Sequence, residues 1–241
     1  MSWSSGGDDS VRLAGPQRIF RGSPRKRRVL IIAAVCAALL FGLLALRHPL
    51  WLHSRAKPAG PPWVYGRLDA RFTLVEYADL ECPYCREYFP VLRHWVDTHP
   101  EVNWQWHHLP LSIHDPAATQ DARLAECSGE VGGAREFWAS IEWIYRHTRG
   151  DGAGLPTSTT LPGMSGAISA CLTSHRPDAV ISAQVREAER DHIAATPTLR
   201  LVDRQGGRTI TLVGLVEGDA LLSAVDLLAA PTNESAERIS H

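Results

Sequence analysis

An α/β fold behind a single apolar N-terminal helix is predicted by three features of the sequence. The run Phe72-Thr73-Leu74-Val75-Glu76-Tyr77 reads as a strand, leads into a helix-like segment over 83–98, and precedes Val102-Asn103-Trp104-Gln105-Trp106-His107, which alternates as a half-buried strand does. That order is a β-α-β unit. A helical stretch, about 112–193, separates it from two further strand-like runs, 198–202 and 208–213, which the turn residues 203–207 join as a hairpin. Far upstream, Val29 to Leu46 is an 18-residue stretch without a charge.

That apolar stretch comes first in chain order. As a helix it is about 27 Å long, close to the roughly 30 Å hydrocarbon core of a bilayer. Arg18, Arg21, Arg25, Lys26, Arg27 and Arg28 precede it, against Arg47, Arg55 and Lys57 on the near C-terminal side. The positive-inside rule then predicts a cytoplasmic basic tail (1–28), a transmembrane signal anchor (29–50) and the rest of the chain outside the cytoplasm. A cleavable signal peptide is the competing reading, but no small-residue cleavage site follows. Residues 51–68, with Pro58, Gly60, Pro61 and Pro62, read as a linker spanning roughly 20–25 Å. Residues 1–28 carry seven basic and two acidic residues, 29–57 add three basic ones, and the remainder is left at a net charge of −9. An acidic exported domain argues against nucleic-acid binding.

The folded domain is expected over 69–230, with a short tail at 231–241. Within the helical stretch, 115–127 and 134–148 have helical periodicity, and Phe137, Trp138, Ile141, Ile144 and Tyr145 fall on one face as core residues. A turn-rich loop at 149–154 leads to further helices near 164–174 and 178–193. After the hairpin, a last helix at about 218–229 closes the domain.

Chemistry enters at Cys82-Pro83-Tyr84-Cys85, set between the first strand and its helix. Free N–H groups and the macrodipole at a helix N-terminus favour a thiolate on Cys82, and Pro83 suits the first helical turn. Cys85, one turn on, can close a small disulfide ring with it. Two cysteines at this spacing also suit half a zinc site, with His107, His108 and His114 as further ligands; the Pro-Tyr insert favours dithiol chemistry. Glu76, six residues before Cys82 on an otherwise apolar strand, should lie beneath the helix. A buried carboxyl with a raised pKa can exchange a proton with Cys85. Cys36 lies in the apolar stretch. Cys127 and Cys171 are candidates for a structural disulfide closing a loop of about 45 residues, worth about 3–4 kcal/mol; two buried free thiols are the alternative.

These residues carry a resemblance. The pattern E-[YF]-x-D-x-x-C-P-x-C-x-x-x-x-P runs from Glu76 through Pro90, and continues in His107-His108-Leu109-Pro110-Leu111, His114, Glu126-Cys127, Glu136-Phe137-Trp138, Cys171-Leu172 and Thr196-Pro197-Thr198. Over about 70–230 the chain resembles the DsbA-like thiol–disulfide oxidoreductases of the thioredoxin superfamily. The resemblance implies a thioredoxin-like fold with a helical insertion (about 112–193), Pro90 kinking the active-site helix, and a cis Thr196-Pro197 bond facing the dithiol. It implies Cys82 as nucleophile and Cys85 as resolver of a redox-active disulfide. Thr196, through its backbone, with Pro83 and Tyr84, would contact the substrate, and Pro197 would complete the catalytic set. Implied partners are exported proteins with cysteines and a membrane redox partner that recycles the dithiol; no cofactor or metal is implied. With the predicted anchor, this places a single-pass protein in the cell (inner) membrane with a periplasmic catalytic domain. The segment 150–178 looks shortened against the family pattern. A reductase of exported disulfides, or a non-catalytic binding or assembly module, is the alternative reading.

Overall fold

Ordered structure starts before the first predicted strand. The computed structural model describes residues 60–231; the basic tail 1–28, the predicted anchor 29–50, the linker before residue 60 and the tail beyond 231 lie outside them. Within the stretch read as linker, Val64–Tyr65 forms a short strand, β1, and Trp63 is buried. The linker boundary at residue 68 is therefore too late. A two-residue strand has no period to read, and the prolines before it mimic a flexible segment.

The remaining elements are β2 (Phe72–Ala78), α1 (Pro83–Thr98), β3 (Val102–His108), a 3-10 turn (Ser112–His114), α2 (Ala117–Gly132), α3 (Ala134–His147), α4 (Gly166–Leu172), α5 (Arg176–Arg190), β4 (Thr198–Asp203), β5 (Thr209–Val213) and α6 (Gly218–Ala229). The sheet order is β1-β3-β2-β4-β5. Only β2 and β3 run parallel, with Glu76 opposite Trp106; β2 and β4 are antiparallel, with Tyr77 opposite Thr198. The register brings residue 198 beside the C-terminal end of β2. The Cys82 turn and the Thr196-Pro197 bond thus meet at one end of the sheet.

Two apolar layers hold the sheet. Leu74, Trp104, Trp106, Leu199 and Leu201 face α1, α6 and the insertion helices α2 and α3 in the main core. Val75 and Tyr77 face Ala188 of α5 and Ile193 just beyond its end in a smaller one. Each strand of the central pair is buried on both faces, which explains the weak alternation of Phe72–Ala78. Trp104 and Trp138 have ring centroids 4.4 Å apart, joining the insertion to the sheet. The helices α2 and α3 meet at Gly133, whose φ of 81° suits glycine at a helix end. Helix α2 extends past residue 127, where its predicted end lay, and α5 starts earlier than predicted, with Pro177 in its first turn. Among the described residues no helix is long and apolar enough to cross a membrane.

Candidate active site

Cys82 is the N-cap of α1, in an extended conformation, with Pro83 opening the helix. No acidic side chain occupies the first turn, so no carboxylate competes with the sulfur for the free N–H groups there. Cys82 and Cys85 are both in the free thiol form and both buried, Cys85 completely. Their acidities are driven apart. The Cys82 thiol falls from 9.0 to about 5, first through a hydrogen bond from Cys85, then, against the cost of burial, through the Thr196 side chain and the backbone N–H groups of Cys85 and Tyr84. Burial pushes the Cys85 thiol well above its ordinary value, and the neighbouring Cys82 and Glu76 add to the rise.

Glu76 lies on β2 in the layer that faces α1, with no exposed surface. Neither carboxylate oxygen has a hydrogen-bond partner, and the buried Trp104 Nε1 also lacks one. Burial raises the Glu76 pKa to about 8; the Trp104 indole lowers it and charge on Cys82 raises it. At neutral pH Glu76 holds a proton close to both sulfurs.

Across from the helix, the Thr196-Pro197 peptide bond is cis, one residue before β4. The Cys82 sulfur is 3.6 Å from the Thr196 carbonyl oxygen, to which the thiol donates. Gly214 N–H donates to the Pro197 carbonyl at 2.8 Å, fastening this bend to the end of β5. Tyr84 stands 61% exposed beside the sulfurs, and Pro83 is half-buried. Pro90 lies inside α1 on its exposed side. The geometry therefore gathers Cys82, Cys85, Glu76, Thr196, Pro197, Pro83 and Tyr84 at one end of the sheet, Cys85 and Glu76 with no exposed surface.

The second cysteine pair is bonded. Cys127 on α2 and Cys171 on α4 form a disulfide, their Cα atoms 5.6 Å apart. The three histidines face three different carboxylates: His107 Nδ1 lies 3.4 Å from Glu187, His108 Nε2 lies 3.3 Å from Glu126, and His114 Nδ1 lies 2.7 Å from Asp79. Among the described residues no group of three or more His, Cys, Asp or Glu is arranged to hold a metal ion.

The sequence pattern includes Asp79 but assigns no role to it or to Glu81, the two carboxylates just before Cys82. Asp79 and Glu81 are each 1% exposed. Glu81 accepts from Gly154 N–H at 2.8 Å and from the Thr148 hydroxyl, which draws the 148–154 loop to the active-site turn. Asp121, beside Glu81, is raised to about 8 by burial and by that neighbour. The readable signal was charge at positions 79 and 81 of an otherwise apolar segment, the same signal that singled out Glu76.

Comparison with known proteins places the fold and the family. A family described as Thioredoxin matches residues 59–216. Among solved structures, DsbA2 of Pseudomonas aeruginosa is 44% identical with a TM-score of 0.67, covering 71% of this chain and 95% of that one. A thioredoxin-like oxidoreductase of Silicibacter pomeroyi is 23% identical with a TM-score of 0.52, covering 70% and 92%, and shares the fold. The thiol-disulfide exchange protein alpha-DsbA2 of Wolbachia pipientis shares it at 13% identity and a TM-score of 0.57, covering 68% and 86%. Among curated proteins, Na(+)/H(+) antiporter NhaA 3 of Salinispora tropica is 38% identical over 84 residues, covering 35% of this chain and 12% of that protein. NhaA 1 of Mycolicibacterium vanbaalenii is 31% identical over 134 residues, covering 50% and 21%. The chain thus spans under a quarter of the length of these curated relatives. The match to the Thioredoxin family over most of the chain, and the close likeness to DsbA2 across nearly all of that protein, make this chain a DsbA-like member of the thioredoxin family.

Proposed function

We propose that this chain is an extracytoplasmic thiol–disulfide oxidoreductase that forms disulfides in exported proteins through Cys82 and Cys85. The observation that carries the reading is the opposed acidity of two sulfurs one helical turn apart, Cys82 lowered to about 5 and Cys85 raised well above its ordinary value. Stabilising one thiolate favours the dithiol over the disulfide. A disulfide that gains by being reduced is an oxidant.

In the oxidising direction a client thiolate attacks the Cys82 sulfur, the Cys82–Cys85 bond breaks, and Cys85 leaves with the electron pair. Glu76, protonated at neutral pH, supplies the proton that Cys85 takes up. A second client thiolate then attacks the client sulfur of the mixed disulfide, and Cys82 leaves as a stable thiolate. The Thr196-Pro197 bend and the exposed Tyr84 flank the path of the client chain. The dithiol left behind needs an electron acceptor. A membrane redox partner fills that role if residues 29–50 anchor the chain with its N-terminus in the cytoplasm and the domain in the periplasm.

The test is oxidation of a reduced dithiol peptide, together with equilibration of Cys82/Cys85 in glutathione buffers. The expected outcome is stoichiometric peptide oxidation, its loss in Cys82→Ser, a trapped mixed disulfide in Cys85→Ser, and a potential nearer about −120 mV than about −270 mV. A potential at the thioredoxin end would reverse the direction to reductase. Equally sluggish alkylation of both reduced thiols near neutral pH would remove the enzymatic reading.

A further inference from the structure

Glu81, the residue just before Cys82, is 1% exposed, and both donors to its carboxylate are neutral: Gly154 N–H at 2.8 Å and the Thr148 hydroxyl. The Thr148 oxygen in turn accepts from Gly150 N–H at 3.0 Å, and its carbonyl accepts from the Arg86 guanidinium of α1 at 3.0 Å. Between these holds, Asp151 N–H donates to the Glu81 carbonyl at 2.9 Å. Loop 148–154 is thus fastened to one residue at three points. It is also seated closely, since a side chain at Gly152 would meet the His114 Cα at 3.0 Å.

The middle hold reaches the dithiol. The peptide joining Glu81 to Cys82 is gripped on both sides, its carbonyl by Asp151 N–H and its N–H by the Asp79 carbonyl at 3.2 Å. Cys82 caps α1 in an extended conformation, φ −73° and ψ 122°, which sets its sulfur at the positive end of the helix, 3.6 Å from the Thr196 carbonyl oxygen. Rotation of the 81–82 peptide is rotation about the Cys82 φ, so a slack peptide leaves the sulfur free to swing from that place. A carboxylate buried against neutral donors costs more than an apolar contact would. What it adds is direction: its two oxygens fix the loop at Thr148 and Gly154, and Asp151 N–H between them then faces the Glu81 carbonyl.

We propose that Glu81 and Thr148 are positioning residues for the nucleophile: they clasp loop 148–154 so that Asp151 N–H braces the 81–82 peptide and keeps the Cys82 sulfur at the N-terminus of α1. The inference rests on the dithiol-exchange reading above. When a client thiolate attacks the client sulfur of the mixed disulfide, the bond to Cys82 breaks and its electron pair stays on the Cys82 sulfur. A sulfur held at the helix end carries that charge best. In the Cys82–Cys85 disulfide the sulfur carries none, so the brace favours the reduced pair and adds to its oxidising bias from outside the C-x-x-C motif.

The test compares Thr148→Val and Thr148→Ser in the full chain. Valine keeps the shape of threonine but neither donates to Glu81 nor accepts from Gly150, serine does both, and neither changes a charge. The readouts are thiolate titration of Cys82 in the reduced protein, equilibration of Cys82/Cys85 in glutathione buffers, and thermal melting. In Thr148→Val the titration should move up by about half to one pH unit, the scale of a helix-end charge effect, and the equilibrium should move towards the disulfide by the matching factor of roughly three to ten. Thr148→Ser should stay within about twofold of wild type, because the hydroxyl remains to hold Glu81. A folded Thr148→Val that titrates and equilibrates as wild type does, whatever its melting temperature, would overturn the proposal. So would a serine variant shifted as far as the valine one. If Thr148→Val does not fold, Gly154→Ala carries the same expectation, since a φ of 66° resists a side chain and the strain draws that N–H off Glu81 with every charge kept. Neither titration nor glutathione equilibration needs a client, so a protein that oxidises no peptide fails the dithiol reading alone, and the brace is still decided by the titration.

Discussion

The two pairs of cysteines in the folded domain differ in what surrounds them more than in how buried they are. All four sulfurs belong to buried residues, yet Cys127 and Cys171 are joined while Cys82 and Cys85 are free thiols. The bonded pair links two helices of the insertion across 44 residues. It has packing around it and the Glu130 carboxylate, paired with Arg176, 3.6 Å from the Cys171 sulfur, but no cis-proline bend, helix N-cap or fully buried, unpartnered carboxyl facing it. The free pair has all three: Cys82 at the cap, Thr196-Pro197 opposite, Glu76 beneath. Burial alone makes a cysteine inert; burial beside aligned donors and a neutral acid is the setting in which a thiol turns reactive.

Removing the bonded pair separates the two roles most sharply. Cys127→Ser/Cys171→Ser should lower unfolding stability by about 4 kcal/mol, from the chain entropy of the loop it closes, and leave peptide oxidation unchanged. Denaturant unfolding and the peptide assay, run on one preparation, measure both. A large change in exchange rate would mean that the insertion disulfide takes part in the chemistry.

Glu76→Gln should act oppositely at the free pair. The folded Glu76 pKa, about 8, lies above its ordinary 4.5, so its contribution to stability is fully present below about pH 4.5 and is lost as pH rises through 8. At pH 7 the glutamine variant should therefore be more stable by about 3 kcal/mol, taking roughly 1.4 kcal/mol per pH unit between 4.5 and 7. The Cys85 step should slow by roughly a hundredfold or more, the usual scale of a lost general acid. Melting curves and exchange rates across pH 4 to 9 would show it, and a stability that keeps the wild-type pH dependence would place the titration elsewhere.

The smallest effect is in the pH slope of the reduction potential. Below pH 5 reduction takes up two protons, and the potential should fall by about 59 mV per pH unit; above it Cys82 stays a thiolate, and the slope should halve to about 30 mV. The break should lie near the Cys82 pKa of about 5. An unbroken slope through that region would mean that Cys82 is no more acidic than an ordinary thiol.

Some of this was legible along the chain because it is local. The helix start at Pro83, the N-cap position of Cys82 and the hairpin after residue 198 follow from turn chemistry and periodicity within a few residues. Glu76 was visible as a lone charge in an apolar strand. The start of the domain was misplaced because β1 has only two residues and Trp63 earns its burial by distant partners, among them Glu126, to which its indole donates at 2.9 Å. Asp79 stands in the sequence pattern, but the partners of its carboxylate were not legible. Two of those partners are His114 and Leu111, 35 and 32 residues away.

By itself the sequence determined the order of strands and helices, the place of the dithiol at a helix N-terminus and the acid beneath it, since each rests on neighbours no more than about two turns away. Only the tertiary structure decided which cysteines are bonded, that residue 196 stands 3.6 Å from Cys82, and how far apart the two thiol acidities lie. Those are properties of electrostatics and packing between residues far apart in the chain, and no local pattern encodes the register that brings them together.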